Sequence, residues 1–294
     1  MDLSKVIGTG ASGRITRDDV LSIVRQASTT SQGSKTTVEP SAAASADTPT
    51  SEPTSTSEDD WGPIHVERMT KIRKTIARKM HESWTSAPRV TNFDDADVTE
   101  LEAIRQASKA DYTARGIKLT SMPFVIKAVA LALKSNPTIN AMIDEANDQI
   151  IYKKYVNIGI AVDTDRGLLV PSLRNADDLG ISDMARALGT IADNARNNNF
   201  KLEDLRGSTF TISNLGAIGG TYSTPIINVP EVAILLLGRS RKLPVVVDDQ
   251  VVVRLMMPLS LSYDHRLVDG AMAARFLNDV KSYLEQPSRL LIAP

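Results

Sequence analysis

The sequence predicts an α/β (α+β) fold, a mixed-sheet two-layer sandwich, over residues 61–294, and three observations carry that expectation. Helical and strand-like hydrophobic periods interleave along this stretch without the regular βα repeat of a barrel. A chain of 294 residues leaves room for one large domain and a smaller piece. Residues 28–60 separate the two by composition. Sixteen of those 33 residues are Ser or Thr and three are Pro, and one Lys stands against six acids. With Val38 as its only large apolar side chain, the segment cannot offset its ordering entropy by burial, so it is expected to be a flexible tether.

The elements of the body read in order. Met69, Ile72, Ile76, Met80 and Trp84 fall at helical spacing and predict a helix over 70–86. Thr99 with Glu102 has the form of a capping box and opens a second helix to about Arg115. A third has Pro123 in its first turn and stops at Asn136-Pro137. Strand-rich segments follow around 149–173, then a helix over 181–197, and strands at 208–213, 231–238 and 245–263. The last helix, 271–285, is expected to bury Ala273, Phe276, Leu277, Val280, Tyr283 and Leu284.

The head, 1–27, is too small for a core of its own. Gly8-Thr9-Gly10-Ala11-Ser12-Gly13 matches the spacing of a dinucleotide fingerprint, but no strand precedes it and the tether begins where a βαβ unit should continue. A helix capped by Thr16, with Val20, Ile23, Val24 and Ala27 on one face, completes the head.

Composition excludes several classes of function. Thirty-four basic residues against 35 acidic ones leave a net charge of −1, with no field to attract nucleic acid or an anionic membrane. There is no cysteine, so disulfides, thiolate metal sites and cysteine nucleophiles are absent, and with only three His no metal centre is expected. No apolar run is long enough to span a bilayer, and the first ten residues lack a signal-peptide pattern.

Two strings stand out chemically. Leu259-Ser260-Leu261-Ser262-Tyr263-Asp264-His265-Arg266-Leu267-Val268-Asp269-Gly270 is an alternating strand that ends in titratable residues and runs into a helix start, which places His265 at a strand-to-helix junction. Thr209-Phe210-Thr211-Ile212-Ser213-Asn214-Leu215-Gly216 is a strand whose alternation breaks into a hydroxyl, an amide and glycines. A hydroxyl there can donate to a developing oxyanion, or it can simply cap a turn. Ser213, His265 and Asp269 could also be read as a hydrolase triad, although Ser213 lacks the G-x-S-x-G elbow.

These strings resemble the catalytic domain of the dihydrolipoyl acyltransferases of 2-oxoacid dehydrogenase complexes. The resemblance extends to Pro225-Ile226-Ile227-Asn228-Val229-Pro230-Glu231-Val232-Ala233-Ile234, to Arg73-Lys74-Thr75-Ile76-Ala77 and to the stretch from Gly159 to Pro171, in the right order across 61–294. The fold it implies is similar to that of chloramphenicol acetyltransferase. The head is similar to the C-terminal part of the same family's peripheral-subunit-binding domain, so the expected organisation is a partial binding domain over 1–27, a linker over 28–60 and an acyltransferase over 61–294. The body is most similar to the pyruvate-type enzymes, notably over Asp95-Ala96-Asp97-Val98-Thr99, while Ile218-Gly219-Gly220-Thr221-Tyr222 is also similar to branched-chain relatives.

The resemblance implies transfer of an acyl group, acetyl by preference, between dihydrolipoamide and coenzyme A, both thiols. It assigns His265 as the base and Ser213 as the oxyanion donor. Asp269, where some members carry Asn, is expected to pair with Arg73 and so hold the His265 loop. Asp163 and Asn214 are expected to support the site. Coenzyme A enters as a substrate, and the lipoyl group comes in trans or from an N-terminal domain that this sequence does not include. Implied partners are the 2-oxoacid dehydrogenase and dihydrolipoamide dehydrogenase components and a lipoyl domain. Homotrimers with sites between subunits are expected to build a cubic or icosahedral core, in a bacterial cytoplasm or a mitochondrial matrix. A non-catalytic scaffold of the same fold is the competing class, which would not need His265 and Ser213.

Overall fold

The structure, a computed structural model, describes residues 55–165 and 167–292. The head and residues 28–54 of the tether therefore lie outside the described residues. The chain divides into two units, Met1–Glu67 and Arg68–Pro294.

In the first unit, β1 (Ser55–Asp59) pairs antiparallel with β2 (Gly62–Val66). The stretch expected to be a tether to residue 60 thus ends in a strand. Its physical basis is the turn: Asp59 Oδ1 accepts the N–H groups of Trp61 and Gly62 at 2.9 and 3.1 Å, and Gly62 takes φ 151°. Ser-Thr-Ser-Glu-Asp has no apolar alternation to announce it.

The second unit is built on a seven-stranded mixed sheet. Helix α1 (Lys71–Ser86) is capped by Thr70, whose hydroxyl accepts from the Arg73 N–H. Strand β3 (Arg89–Asp97) follows, then α2 (Thr99–Ala114) and α3 (Met122–Ser135). A separate hairpin, β4 (Ala141–Asp144) and β5 (Gln149–Tyr152), precedes β6 (Ile158–Ala161) and β7 (Ser172–Leu173). Then come α4 (Ile181–Arg196), β8 (Phe210–Asn214), β9 (Ala233–Leu237), β10 (Arg241–Val247), β11 (Gln250–Asp264), α5 (Gly270–Glu285) and a 3₁₀ turn, Pro287–Leu291.

Strands β6, β8 and β9 run parallel, and the 15-residue β11 runs antiparallel to β9 and β10 along one edge and to β3 along the other. Met256 pairs with both Arg241 and Asp97, which fixes β10 and β3 on opposite edges. The stretch expected as strand over 245–263 is broken by a hairpin turn at Asp248 and Asp249, which both adopt left-handed φ (50° and 59°), so it holds the end of β10 and most of β11. Strand β3 was hidden in the sequence by its acids. The capping box also fails: Val98 is the N-cap without a side-chain bond, Thr99 bonds Asp97 and the Leu255 N–H, and Glu102 pairs with Arg105. Asp97 and Arg105 are local competitors for the two side chains, and Leu255 lies 156 residues from Thr99.

Alternation gives the sheet two unlike faces. Phe210, Ile212, Leu235, Leu259, Leu261 and Tyr263 point into one core shared with residues of α2–α5. Phe276 of α5 meets Phe210 with ring centroids 5.5 Å apart. Each such side chain contributes roughly 1.5–3 kcal/mol by burial. Tyr283, expected in that core, packs only partly buried at its margin. The opposite face carries Thr211, Ser260 and Ser262, all buried, and Ser213, half-buried. Helix α1 differs from the others: Ser83 is its one buried residue, and Met69 and Trp84 of its predicted stripe are exposed.

Candidate active site

Ser213 lies next to last in β8, paired with Ala161 of β6 on one side and Leu236 of β9 on the other. Its hydroxyl has no hydrogen-bond partner among the described residues, so the backbone ladder alone aims it. Asn214 Oδ1 accepts from the Gly216 N–H at 2.9 Å and turns the chain out of the strand. The returning loop passes Gly238 so closely that a Cβ there would sit 2.0 Å from the Thr221 carbonyl oxygen, so only glycine fits. Asn214 thus shapes the turn after Ser213. Asp163 is exposed, two residues beyond Ala161, at the same end of the sheet as Ser213.

His265 follows the last residue of β11 and is exposed. Its N–H donates to Pro88 O at 2.9 Å, and the N–H of Asp264 donates to Val232 O at 2.8 Å. The buried Asp264 carboxylate accepts from Arg266 at Nε (3.0 and 3.1 Å) and Nη2 (2.6 Å), and from its backbone N–H. Arg266 also bonds Glu145. The hydrogen bonds that Arg266 donates to Asp264 hold its guanidinium further in the charged form. A rigid ionic knot therefore flanks His265 on both sides in sequence. Sequence reasoning passed over Asp264 and Arg266; a carboxylate closing a buried strand, two residues from an arginine, was the available signal.

Asp269 is the N-cap of α5, accepting from the Met272 N–H at 2.8 Å. The expected Arg73–Asp269 ion pair is not formed within the chain. Arg73 is in the first turn of α1, while the His265 loop is tied to Pro88, beyond that helix's far end, about 20 Å away at 1.5 Å per residue. Nor does any hydrogen bond join His265 to Asp269 among the described residues, so an intrachain triad is not assembled.

The register decides how the two principal residues stand. Ser213 shares a cross-sheet row with Leu236 and Ser260, and His265 lies five residues beyond Ser260 along β11. That separates them by roughly 17 Å along the strands and about 10 Å across two strand spacings. No rotamer lets one chain's Ser213 meet its own His265.

Residues 62–292 match the family model "2-oxoacid dehydrogenases acyltransferase (catalytic domain)". The chain belongs to this family. It is 39% identical over 293 residues to the succinyltransferase component of the 2-oxoglutarate dehydrogenase complex of Rickettsia felis, covering 99% of this chain and 68% of that protein. It is also 39% identical over 292 residues to the acetyltransferase component of the pyruvate dehydrogenase complex of Staphylococcus epidermidis, covering 99% and 67%. The crystal structure of the Azotobacter vinelandii dihydrolipoamide acetyltransferase superimposes with a TM-score of 0.76 at 44% identity, over 79% of this chain and 95% of that one. The mixed-sheet architecture of the acyltransferase core is thus shared. Among the described residues no helix is long and apolar enough to cross a membrane.

Proposed function

We propose that this acyltransferase moves an acetyl group between dihydrolipoamide and coenzyme A at sites shared by neighbouring subunits, as the core of a pyruvate dehydrogenase-type complex. The observation that carries the shared site is the register: Ser213 and His265 are too far apart in one chain to act together, yet each faces outward on a rigid support. The Azotobacter study concerns one serine, one histidine and one asparagine in the catalytic mechanism, spaced by 52 and 4 residues; Ser213, His265 and Asp269 repeat that spacing. A related solved structure is the cubic core of the pyruvate dehydrogenase multienzyme complex, 44% identical, which supports assembly around such shared sites. The dehydrogenase and dihydrolipoamide dehydrogenase components and a lipoyl domain are the partners this reading requires.

In this mechanism His265 removes the proton from the coenzyme A thiol, which at neutral pH is mostly protonated, as a cysteine thiol with a pKa of about 8.5 would be. The thiolate sulfur attacks the thioester carbon, and the carbonyl electrons move onto oxygen. Ser213 of the neighbouring subunit donates its O–H to that oxyanion. As the oxyanion collapses, the bond to the lipoyl sulfur breaks and the imidazolium returns its proton to that sulfur. Ser213 never becomes acylated. Asp269 orders the helix start behind the loop; Asn214 and Asp163 border the Ser213 end, and the Arg73 side chain makes no hydrogen bond or ion pair among the described residues.

The Rickettsia relative favours a second reading, succinyl transfer, at the same identity as the acetyltransferases. One assay separates them: coenzyme A acylation with acetyl, succinyl and isobutyryl dihydrolipoamide donors, the last testing a branched-chain enzyme. Complementation tests the shared site. Inactive His265→Ala and Ser213→Ala chains, dissociated and reassembled together, should recover a substantial fraction of activity because some interfaces pair intact His265 with intact Ser213. Two variants that stay inactive in proven mixed assemblies would overturn the shared site.

A further inference from the structure

Glu231 is buried, yet among the described residues no cation reaches its carboxyl. Three neutral donors do: Ser208 Oγ at 2.5 Å and Asn228 Nδ2 at 3.0 Å on Oε1, and Thr211 Oγ1 at 2.6 Å on Oε2. Desolvation pushes its pKa up to about 7, and the three hydrogen bonds oppose that shift. Such a buried carboxyl adds little to stability, since an apolar side chain of similar size would pack there without the desolvation cost.

Its partners are what give it a role. Thr211 lies two residues before Ser213 on the same face of β8, and its hydroxyl is wedged between Glu231 and Gly159, where a Cβ would come within 2.8 Å of it. Asn228 lies in the loop between β8 and β9, and the neighbouring Ile227 carbonyl is anchored by Ser83 of α1 at 2.6 Å. On the other side, the next residue, Val232, accepts the N–H of Asp264, which immediately precedes His265. One buried carboxyl therefore joins the support of Ser213 to the support of His265.

We propose that Glu231 is a positioning residue for acyl transfer, whose carboxyl fixes the separation of the two half-sites that each chain contributes. The consequence rests on the shared-site reading above. In a closed ring of subunits, each Ser213 meets a neighbour's His265, so the spacing within one chain sets the alignment at every interface. A misplacement of about 1 Å is enough to cost about a hundredfold in rate.

The test uses the assembled protein with Glu231→Met, Glu231→Gln and Thr211→Val. Glu231→Met keeps the length and removes all three bonds; its kcat should fall about tenfold to a hundredfold while both KM values stay within about twofold and sedimentation shows an intact assembly. Glu231→Gln, which can still accept from Ser208 and Asn228, should restore kcat to within about threefold of the unsubstituted protein. Thr211→Val removes one hydroxyl and should reproduce much of the loss even if Glu231→Met does not assemble. An assembled Glu231→Met or Thr211→Val protein with unchanged kcat, or a loss confined to KM, would overturn the proposal. If the unsubstituted protein transfers no acyl group, the functional reading fails separately. Amide exchange then decides the structural claim: Glu231→Met or Thr211→Val should speed exchange at both Ser213–Leu215 and Asp264–His265, and unchanged exchange in either segment would refute it.

Discussion

The Ser213 end of the sheet and the His265 end are built on different principles. Ser213 sits inside a ladder, flanked by β6 and β9, with no side chain to orient its hydroxyl. His265 sits outside the ladder, and side chains hold its neighbours: Asp264, Arg266 and Glu145 around it, with only its own N–H on Pro88. The contrast matches what each group must do. An oxyanion donor works by being fixed before charge develops. A base that takes a proton from one sulfur and returns it to another needs an imidazole free to face both.

The comparison breaks most sharply at His265. His265→Ala should reduce turnover by roughly a hundredfold to ten-thousandfold while the assembly sediments unchanged, because the side chain is exposed. Near-normal turnover in an assembled His265→Ala protein would remove the base from the mechanism.

Ser213→Ala should cost somewhat less, roughly a hundredfold to a thousandfold in kcat with little change in KM, since the hydrogen bond strengthens only as the oxyanion forms. The half-buried methyl left behind disturbs no partner, so stability should hold. Mass spectrometry during turnover should find no acyl group on Ser213. An acylated Ser213 would turn the contrast around and restore the hydrolase-like alternative.

Much of this was legible in the chain. The helices α1, α3, α4 and α5 follow from apolar spacing and from Pro123 and Asn136-Pro137 because these signals are local. Strand β3 was not legible: Arg-Val-Thr-Asn-Phe-Asp-Asp-Ala-Asp has acids where a buried strand should be apolar, and it is a strand only because β11 pairs with it along nine residues. The same limit applies at the site. His265 and Ser213 were visible through their strings, and the Asp269 cap on Met272 is a local contact, but that Glu231 joins two supports depends on contacts between segments 20 or more residues apart.

The smallest expected effect is on stability, and it sharpens the comparison at the point where the two ends join. Burial raises the folded pKa of Glu231 from 4.5 to about 7. Between those values the folded chain keeps a proton that the unfolded chain has released, so this group's contribution is full below pH 4.5, falls as pH rises towards 7 and is level above. Its size is at most about 3 kcal/mol, from 1.36 kcal/mol per pKa unit. Glu82, Asp144, Glu145, Asp264 and Arg266 line the same cavity and are present in both proteins, so their contributions largely cancel when Glu231→Gln is compared with the unsubstituted chain. Urea unfolding at matched protein concentration should therefore show Glu231→Gln gaining relative stability from pH 4.5 to 7 and no further above it. Parallel curves across that window would mean that Glu231 titrates as an ordinary carboxylate, and that the junction between the two ends is wetter than its burial implies.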